Sequence, residues 1–572
     1  MKNKLETGDI IVFLIYILIV AGYGYWVYRK RQSKENDTKS FFLAEGSLTW
    51  WAIGASMIAS NISAEQFIGM SGSGFAMGLA ISAYEWLAAI SLIIVAVFFM
   101  PIYLKNRIFT MPQFLKQRYN EHVALLMAIF WLFLYVFVNL TSILFLGAIA
   151  INNLSGGGNF HLIMILLAIF ALVITLGGMK VIGYTDVIQV VFLVIGGLAA
   201  TYLALTKVSE HFGYGKDLLA GINQLFAKAP EHFDMIFDKP TETASEAQIK
   251  NYLSLPGIAM LLGGQWIANL NYWGCNQYIT QRALGADLNT ARRGIIFAAF
   301  LKVMMPIIVV LPGIAAYVLY TSGQSDVTQA MNIDGHVKAD NAYSAVLGFL
   351  PEGLKGLSMA ALTAAIVASL AGKANSISTI FTLDIYKKYV SANASEKKLV
   401  WIGRLTVLLA MVIAILFTWN DWLNIGGEGG FNFIQKYTGF VSPGIFAVFL
   451  LGFFWKRTTS LAAVVGIVGG FLLSVIFNGY LPQWFGNETW MYTAYPNPDN
   501  KGIYEIPFLT SMGWVFFITV AAMAAISLLD PGSKNNPKAT QYDRSMFRVT
   551  PGMMAMILVI LGLIAAIYVR FW

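Results

Sequence analysis

Long apolar runs recur along the whole chain, separated by polar segments that contain most of the charged residues. Each run holds roughly 18 to 25 residues, the length that an α-helix needs to cross a bilayer. The pattern predicts one all-α, polytopic membrane domain over residues 1–572. We place about fourteen transmembrane helices in it, at about residues 9–28, 49–73, 79–104, 122–151, 160–178, 184–206, 253–281, 294–320, 355–386, 399–419, 431–455, 460–480, 507–529 and 551–570.

Two of these runs are rich in small and polar residues, unlike ordinary lipid-facing helices. They are GASMIASNISAEQFIGMSGSG at 54–74 and GGQWIANLNYWGCNQY at 263–278, and both place Ile-Ala shortly before an asparagine. A helix that breaks inside the membrane must direct its freed backbone groups into a cavity or onto a ligand. Broken helices at corresponding places in two halves therefore indicate a binding site near the middle of the membrane. Close helix packing through small residues is the alternative, and the matched pair favours the binding site.

The distribution of charge predicts topology rather than a nucleic-acid partner. Only 12% of the residues are charged and 57% are hydrophobic, with a formal net charge of +8. Lys and Arg residues concentrate in alternate short loops, for example at 29–31, 292–293 and 387–388. Because such loops face the cytoplasm, we predict that the N- and C-termini lie outside. The protein then contacts the lipid bilayer, and we expect no nucleic-acid partner.

The sequence contains no recognisable catalytic motif. Its single cysteine, Cys275, lies in an apolar run, and its five histidines fall in loops or at the ends of runs. Zinc-protease, nucleophile-elbow and phosphate-loop signatures do not occur in the sequence. We therefore predict that the protein is not an enzyme and uses no cofactor.

A sparse set of polar and charged residues lies within the predicted spans. Each charge at the bilayer centre costs about 2.5–3.5 kcal/mol on insertion scales, so each needs a partner or a function. Carboxylate, ammonium and amide groups bind sugar hydroxyls, and nearby aromatic rings stack on the sugar ring. A simpler interpretation is that Glu85 and Lys302 are mutual structural partners. The set is Glu65, Gln66, Glu85, Asp186, Asn269, Lys302, Lys373 and Gln435.

Several segments closely resemble bacterial sugar carriers of the sodium/solute symporter family, and the resemblance covers nearly the whole chain. It is carried by NISAEQFIGMSGSG (61–74), SAYEW (82–86), FVNLTS (137–142), TDVIQVVFLV (185–194), WIANLNYWGCNQY (266–278), FAAFLK (297–302), NSISTIFTLDIY (375–386) and FIQKYTGFVSPGIFAVFLLGFFWK (433–456). The resemblance implies a LeuT-like core of two inverted five-helix repeats, each with a discontinuous first helix. These repeats would cover about 49–206 and 253–455, with flanking spans at about 9–28, 460–480, 507–529 and 551–570.

The resemblance also implies a function and the residues that serve it. The function is secondary active transport of a hexose, galactose or glucose, by alternating access with sodium symport in a bacterial inner membrane. The family's sugar-binding positions correspond to Asn61, Gln66, Glu85, Asn269, Lys302 and Gln435. Its aromatic inner gate and apolar outer gate correspond to Tyr272 and Trp273, and to Met70, Tyr84 and Phe431. Ala88 stands where the family has serine, so one hydroxyl contact is absent.

The coupling ion implied by the resemblance is Na⁺, held by backbone carbonyls and by serine hydroxyls. The carbonyl positions are Ala59, Ile62 and Ala365, and the hydroxyl is that of Ser369. The family has two adjacent serines there, and Ala368 replaces the first of them. Sodium is a hard cation that prefers several oxygen ligands, so we expect this replacement to weaken the site.

Lys373 stands four residues after Ser369, on the same helical face, where relatives usually have an apolar residue. We hypothesise that its ammonium pairs with Asp186 and takes over part of sodium's structural role. This predicts a sodium-independent or proton-coupled carrier as the alternative to sodium symport. In a simpler interpretation Lys373 extends to the cytoplasmic interface and leaves sodium binding intact. An alternative of another class is a membrane sugar sensor, which binds its ligand without moving it.

Overall fold

The computed structural model describes residues 6–30, 49–108, 110–176, 179–333, 335–428, 430–498 and 502–572, and most of them are helical. Up to residue 331 the helices are α1 (Thr7–Lys30), α2 (Trp50–Asn61), α3 (Ser71–Met77), α4 (Ala83–Ile94), α5 (Met100–Lys105), α6 (Met111–Arg118), α7 (Glu121–Phe133), α8 (Thr141–Leu154), α9 (Phe160–Leu176), α10 (Met179–His211), α11 (Leu218–Lys228), α12 (Glu246–Ser254), α13 (Gly257–Leu262), α14 (Gly264–Gly274), α15 (Gln277–Leu284), α16 (Leu288–Val309), α17 (Leu311–Thr321) and α18 (Ser325–Met331).

The remaining helices are α19 (Ala342–Leu347), α20 (Leu354–Thr379), α21 (Glu396–Trp419), α22 (Ile425–Glu428), α23 (Gly430–Gly439), α24 (Ser442–Phe454), α25 (Ser460–Gly479), α26 (Leu481–Phe485), α27 (Phe508–Leu529) and α28 (Pro551–Arg570). Segments of π-helix join several of them, at Glu65–Met70, Val95–Phe99, Leu134–Leu140 and Ile380–Val390. Two short antiparallel hairpins lie in loops, β1 (Asn332–Ile333) with β2 (His336–Val337) and β3 (Tyr495–Pro496) with β4 (Tyr504–Glu505).

Length and composition identify the helices that can cross a membrane. Within the described ranges nine helices qualify, or up to eleven if each of two bent pairs counts as one span. Two shorter apolar helices, Thr7–Val20 and Phe160–Thr175, come in addition. The prediction of a polytopic, all-α membrane protein is confirmed, whereas the number fourteen stays a prediction.

One qualifying helix covers parts of two predicted spans, which is one reason why the counts differ. The stretch Glu65–Lys105 has 41 residues, and a straight helix of that length would be about 60 Å long, twice the thickness of the hydrocarbon core. Its helical conformation is interrupted at Gly78, where φ is +73°. A Cβ at this position would also collide with the backbone of His232. Glycine is therefore required at this turn.

The first broken helix lies between α2 and α3. α2 ends at Asn61, and Ile62 adopts the extended angles φ −78° and ψ 102°. The Ser63 hydroxyl accepts from the Glu65 amide at 3.2 Å, and the Ser63 amide donates to the Gln66 side chain at 3.3 Å. Such local hydrogen bonds between side chain and backbone compete with helical ones. The chain therefore leaves the helix at Ile62 and resumes it at the π-helical segment that begins with Glu65.

The second broken helix is formed by α13, α14 and α15. The segment Glu246–Leu262 is bent by 80° relative to α14. After α14 ends at Gly274, the Asn276 side chain accepts from the Tyr278 amide at 3.0 Å and starts α15. Both runs that the sequence marked as interrupted therefore contain a break. A further bend of 51° separates α23 from α24, and we had not predicted it.

The interior of the molecule is organised around α20 and α2. α20 is buried along its length and packs against α1, α2, α9 and α10. α2 packs against α16, where a Cβ on Gly54 would lie 2.7 Å from the Gly294 carbonyl oxygen. The small residues of α2 thus serve close helix packing as well as the break, and both sequence interpretations of this run hold. α4 packs against α14 and α16, which encloses a cavity beside the breaks.

Candidate substrate site

A cavity lies where the two broken helices meet α4, α16, α20 and α23. Ala88 is part of its wall, so the departure from the family pattern faces the site. Met70 is fully buried, but it does not belong to the wall. The wall contains all of the predicted sugar-binding residues and all of the predicted gate residues except Met70: Asn61, Gln66, Glu85, Asn269, Lys302, Gln435, Tyr84, Tyr272, Trp273 and Phe431.

Lys302, which lies on α16, is the centre of a hydrogen-bond network. Its ammonium donates to Glu85 Oε2 at 2.6 Å and also to Asn61 Oδ1. The side chains of Lys302 and Glu85 are only 1% and 3% exposed. A buried ion pair needs such additional hydrogen bonds because the desolvation of both charges is costly. Glu85 and Lys302 are therefore mutual partners, and both still line the cavity.

Two aromatic rings adjoin this network. The Lys302 Nζ lies 5.3 Å from the centre of the Trp273 ring, within cation–π distance. The Tyr272 ring is perpendicular to that of Trp273, with centres 5.2 Å apart. The Tyr272 hydroxyl accepts from Asn61 Nδ2 at 3.4 Å. The predicted inner-gate residues are thus tied directly to the polar network.

The predicted outer gate contributes a second aromatic pair to the wall. Tyr84 and Phe431 meet edge to face at 5.1 Å. Gly69 makes room for Phe431, since a Cβ on Gly69 would lie 3.0 Å from the Phe431 backbone nitrogen. The Tyr84 hydroxyl is buried and has no hydrogen-bond partner among the residues that the structure describes.

Three amide side chains complete the predicted sugar-binding set. Gln66 uses its oxygen to accept from the Ser63 amide. Asn269 donates from Nδ2 to the Gln265 carbonyl at 3.0 Å, which leaves its carbonyl oxygen to other partners. Gln435 is half-buried on α23, one turn after Phe431. All three line the cavity, and amides offer both donors and acceptors to a polyhydroxylated ligand.

The predicted sodium ligands lie at the end of α2 and on α20, and they do not belong to the cavity wall. Ala59 and Ile62 are at the end of α2, where helix carbonyls lose their intrahelical partners. Ala365 and Ser369 lie on α20, which packs against α2. The Ser369 hydroxyl is buried and has no hydrogen-bond partner within the described part of the chain. A buried polar atom without a partner is costly, and this arrangement is compatible with a cation between α2 and α20.

Lys373 faces the cavity instead of a membrane interface. Its residue is 3% exposed, and its ammonium donates to Asn139 Oδ1 at 3.1 Å. The interpretation in which Lys373 reaches the cytoplasmic surface is therefore wrong for this structure. Its predicted partner Asp186 lies on α10 in a stretch whose side chains are outside the described residues, so that pairing stays a prediction. The ammonium also lies 4.5–5.6 Å from the centres of three aromatic rings, Tyr278, Tyr135 and Tyr272.

Six polar residues of the wall were not assigned to the site from the sequence: Glu65, Tyr135, Asn139, Asn271, Asn276 and Thr438. Glu65 was recognised only as a costly intramembrane charge. Asn139 lies in an otherwise apolar run, and a lone amide there is the signal that could have identified it. Tyr135 donates to Asn276 Oδ1, a contact between distant segments that periodicity alone does not predict.

Comparison of the sequence with protein families and curated proteins gives consistent results. A profile described as "Sodium:solute symporter family" matches residues 41–470. The chain is 43% identical to the "Sodium/glucose cotransporter" of Vibrio parahaemolyticus, over all of this chain and 99% of that protein. It is 34% identical to the human "Sodium/myo-inositol cotransporter 2", over 83% and 70% of the two chains. All of these descriptions are of transporters, which supports the prediction that the protein is not an enzyme.

Comparison with solved structures tests the fold. The chain resembles a Na⁺-coupled sialic acid symporter with a TM-score of 0.72 and 21% sequence identity, over 92% of this chain and 98% of the other. It also resembles the inward-facing structure of Mhp1, with a TM-score of 0.50 and 14% identity. These similarities confirm the predicted fold class.

Proposed function

The chain belongs to the sodium:solute symporter family, and on that basis we propose that it carries a hexose across a membrane together with Na⁺. Galactose and glucose are the leading substrates, and the inner membrane of a bacterium is the proposed location. The observation that carries this proposal is the Lys302–Glu85–Asn61 network in the wall of a cavity between two broken helices.

The chemistry of this network suits a sugar. A sugar hydroxyl both donates and accepts, so it can bridge the Glu85 carboxylate and the Lys302 ammonium without separating them far. The side chains of Asn269 and Gln435 offer further amide groups in the same wall. The faces of Tyr272 and Trp273 offer apolar surface for the C–H side of a pyranose ring.

The charge of the cavity supports a neutral substrate. Its wall contains two carboxylates, Glu65 and Glu85, and two ammonium groups, Lys302 and Lys373. Among the described residues of the wall these charges balance, so a sugar acid or an amino sugar would add a charge that none of them compensates to a poorly solvated site. A neutral hexose adds none.

The proposed coupling ion is Na⁺ at the end of α2. The carbonyls of Ala59, Ile62 and Ala365 and the hydroxyl of Ser369 would be its ligands. The Ser369 hydroxyl has no hydrogen-bond partner among the described residues, which supports this assignment. The Ala368 replacement weakens the site without removing it. The names of the relatives favour sodium symport over both a sodium-independent carrier and a sugar sensor.

In the proposed mechanism, sodium and sugar bind on opposite sides of the first break. Sodium would join the end of α2 to α20, and the sugar would join Asn61 to α4 and α16. Tyr84 and Phe431 would close one side of the cavity and Tyr272 the other. Each ligand would thus stabilise the arrangement that the other requires, which is how binding energies become coupled.

The test is uptake of labelled galactose and glucose into proteoliposomes, with an inward sodium gradient compared with potassium at matched pH. We expect accumulation above equilibrium in sodium only. Glu85→Gln should abolish it, whereas Glu210→Gln, which alters an ion pair with Lys207 outside the cavity, should not.

Other outcomes would contradict specific parts of the proposal. Equal equilibration in both salts would refute sodium coupling and make the protein a facilitator. Binding of a hexose without any flux would indicate a sensor. Neither binding nor flux of either hexose would refute the assigned substrate.

A further inference from the structure

The cavity contains a second pair of opposite charges that the proposed sugar-binding set does not use. Glu65 begins the π-helical segment directly after the first break, and Lys373 lies on α20. Both line the same cavity as the Lys302–Glu85 pair. The two side chains thus belong to different elements that line one cavity.

Glu65 has hydrogen-bonding capacity that the protein leaves open. Its Oε1 atom is buried and has no hydrogen-bond partner among the described residues. A carboxylate oxygen in this situation is costly, because none of the described residues replaces the water it loses. Glu65 can therefore accept from a donor that the described part of the chain does not supply.

Lys373 has complementary capacity. An ammonium has three N–H donors, and one of them donates to Asn139 Oδ1. Three tyrosine ring faces also lie nearby, and they attract a cation but accept no conventional hydrogen bond. Among the residues whose side chains the structure describes, which do not include Asp186, Lys373 therefore has donors left for a further acceptor.

Glu65 and Lys373 attract one another electrostatically, but they form no ion pair within 4.0 Å in the part of the chain that the structure describes. A group between them must accept from an ammonium and donate to a carboxylate. A cation would be repelled by Lys373 and an anion by Glu65. A hydroxyl group satisfies both requirements with one oxygen atom.

The position of this pair places it next to the proposed sugar site. Along the broken helix, Asn61 contacts Lys302 and Tyr272, Glu65 follows four residues later, and Gly69 contacts Phe431. The Tyr272 ring is also 5.6 Å from Lys373 Nζ. Tyr272 is therefore next to both Lys373 and Asn61, and Glu65 also interacts electrostatically with Lys302 of the first pair.

We propose that Glu65 and Lys373 form a second hydroxyl-binding subsite, which contacts one hydroxyl of the transported sugar and contributes to its selection. This inference rests on the proposed function, since it assumes that a sugar enters the cavity. Water has the same chemistry as a sugar hydroxyl, so the test must distinguish a structural water from the substrate.

The test compares the binding of galactose and its 2-, 3-, 4- and 6-deoxy analogues to the wild-type protein and to variants. A hydrogen bond to a charged group is strong, so one analogue should bind the wild-type protein about tenfold more weakly than galactose. In Lys373→Met and Glu65→Gln that same analogue should bind as well as galactose does. Lys373→Arg, which keeps the donors, should retain the discrimination.

Two further variants protect the test against misfolding and indirect effects. The double variant E65Q/K373M leaves no lone charge in the cavity, so it should fold even where a single variant does not, and it should also lose the discrimination. The matched control is D384N/K388M, which removes the ion pair between Asp384 and Lys388 outside the cavity. This control should discriminate as the wild-type protein does.

The outcomes separate this subsite from the proposed function. If the wild-type protein binds no hexose, the proposed function fails and the subsite with it. If galactose binds but every analogue is weakened by the same factor in the wild-type and double-variant proteins, the pair holds water only and the subsite alone is refuted.

Discussion

At the scale of single residues, the Glu85–Lys302 pair combines a structural and a binding role. Removing one partner leaves the other as an unpaired buried charge. We expect Lys302→Met to lower the free energy of unfolding by about 3–5 kcal/mol and to abolish sugar uptake. Thermal unfolding in detergent and uptake in proteoliposomes measure the two effects.

The double variant E85L/K302M separates the two roles. Without either charge, it should regain most of the stability but none of the uptake. Lys207→Met is the control, because its ion pair with Glu210 at 3.6 Å is partly exposed on both sides and its loss should cost at most about 1 kcal/mol. A double variant as unstable as Lys302→Met would contradict our account of the pair.

Ser369 and Ala368 allow a direct test of the sodium site. Ala368→Ser adds an oxygen beside the proposed ligands and should lower the sodium concentration needed for half-maximal uptake several-fold. Ser369→Ala should raise it. Ser376→Ala on the same helix, whose hydroxyl donates to the Gly372 carbonyl, should leave it unchanged. An unaltered sodium dependence in both test variants would place the ion elsewhere.

Prediction from the sequence succeeded best where a residue's type limited its possible roles. A charge or amide inside an apolar run needs a reason to be there, and this brought attention to Glu85, Lys302 and Lys373. It also offered Lys302 as the partner of Glu85, which the hydrogen bond between them bears out, but it did not identify Asn139 as a partner of Lys373. Lys373 contacts Asn139, which lies in a distant part of the sequence. Only the packing of the helices in the folded protein brings these two residues together.

At the scale of elements, Gly78 determines how the first broken helix joins the next span. Its angles of φ +73° and ψ −148° are available essentially to glycine alone. Gly78→Ala would also drive a methyl group into the His232 backbone. We expect a loss of more than about 2 kcal/mol in the free energy of unfolding, measured as a lower Tm.

Gly157→Ala is a matched comparison for Gly78→Ala. Gly157 also has a positive φ, +83°, but a Cβ there would meet nothing within 4 Å. It should therefore be the milder substitution. Equal effects would mean that backbone strain alone, and not the collision with His232, limits position 78.

The helix breaks were predictable, whereas their angles were not. Small residues and asparagines marked both breaks because these residues form local hydrogen bonds that compete with the helix. The 51° bend between α23 and α24 had a weaker signal, Pro443 in the first turn of α24. A proline there starts a helix, but it does not show that another helix ends directly before it.

At the scale of the whole molecule, the loop before α19 contacts both α3 and the start of α23. Asp340 accepts a hydrogen bond from the Gly430 amide at 3.1 Å. Gly430 is the first residue of α23, the helix that carries Phe431. A Cβ on Gly72 of α3 would lie 2.7 Å from Asp340 Oδ1. This loop therefore ties the start of α23 to the second half of the broken helix.

This contact predicts a pH dependence. Burial raises the pKa of Asp340 to about 6, against the opposing effects of the Gly430 amide and of Lys338 and Lys250. Since the folded protein binds this proton more tightly than the unfolded chain does, lowering the pH through 6 should stabilise the fold through Asp340. The Tm of the wild-type protein relative to Asp340→Asn should therefore rise between pH 7 and pH 5. A constant difference would contradict the assigned pKa.

The class of the whole molecule followed from composition and run length, because a bilayer imposes strict limits on both. The number of spans did not follow as directly. Residues 65–105 form one continuous helical stretch by length and composition, although Gly78 divides it. Apolar runs identify what can lie in lipid, and the turn between two runs depends on backbone angles that composition does not report.

The balanced charges of the cavity have an electrical consequence. A membrane potential acts on each elementary charge that crosses it with about 2.3 kcal/mol per 100 mV. Because Glu65 and Glu85 offset Lys302 and Lys373 among the described residues of the wall, these four groups together would carry no net charge through the membrane potential when the empty cavity reorients. A bound Na⁺ would add one charge that they do not offset, and the voltage would act on that charge.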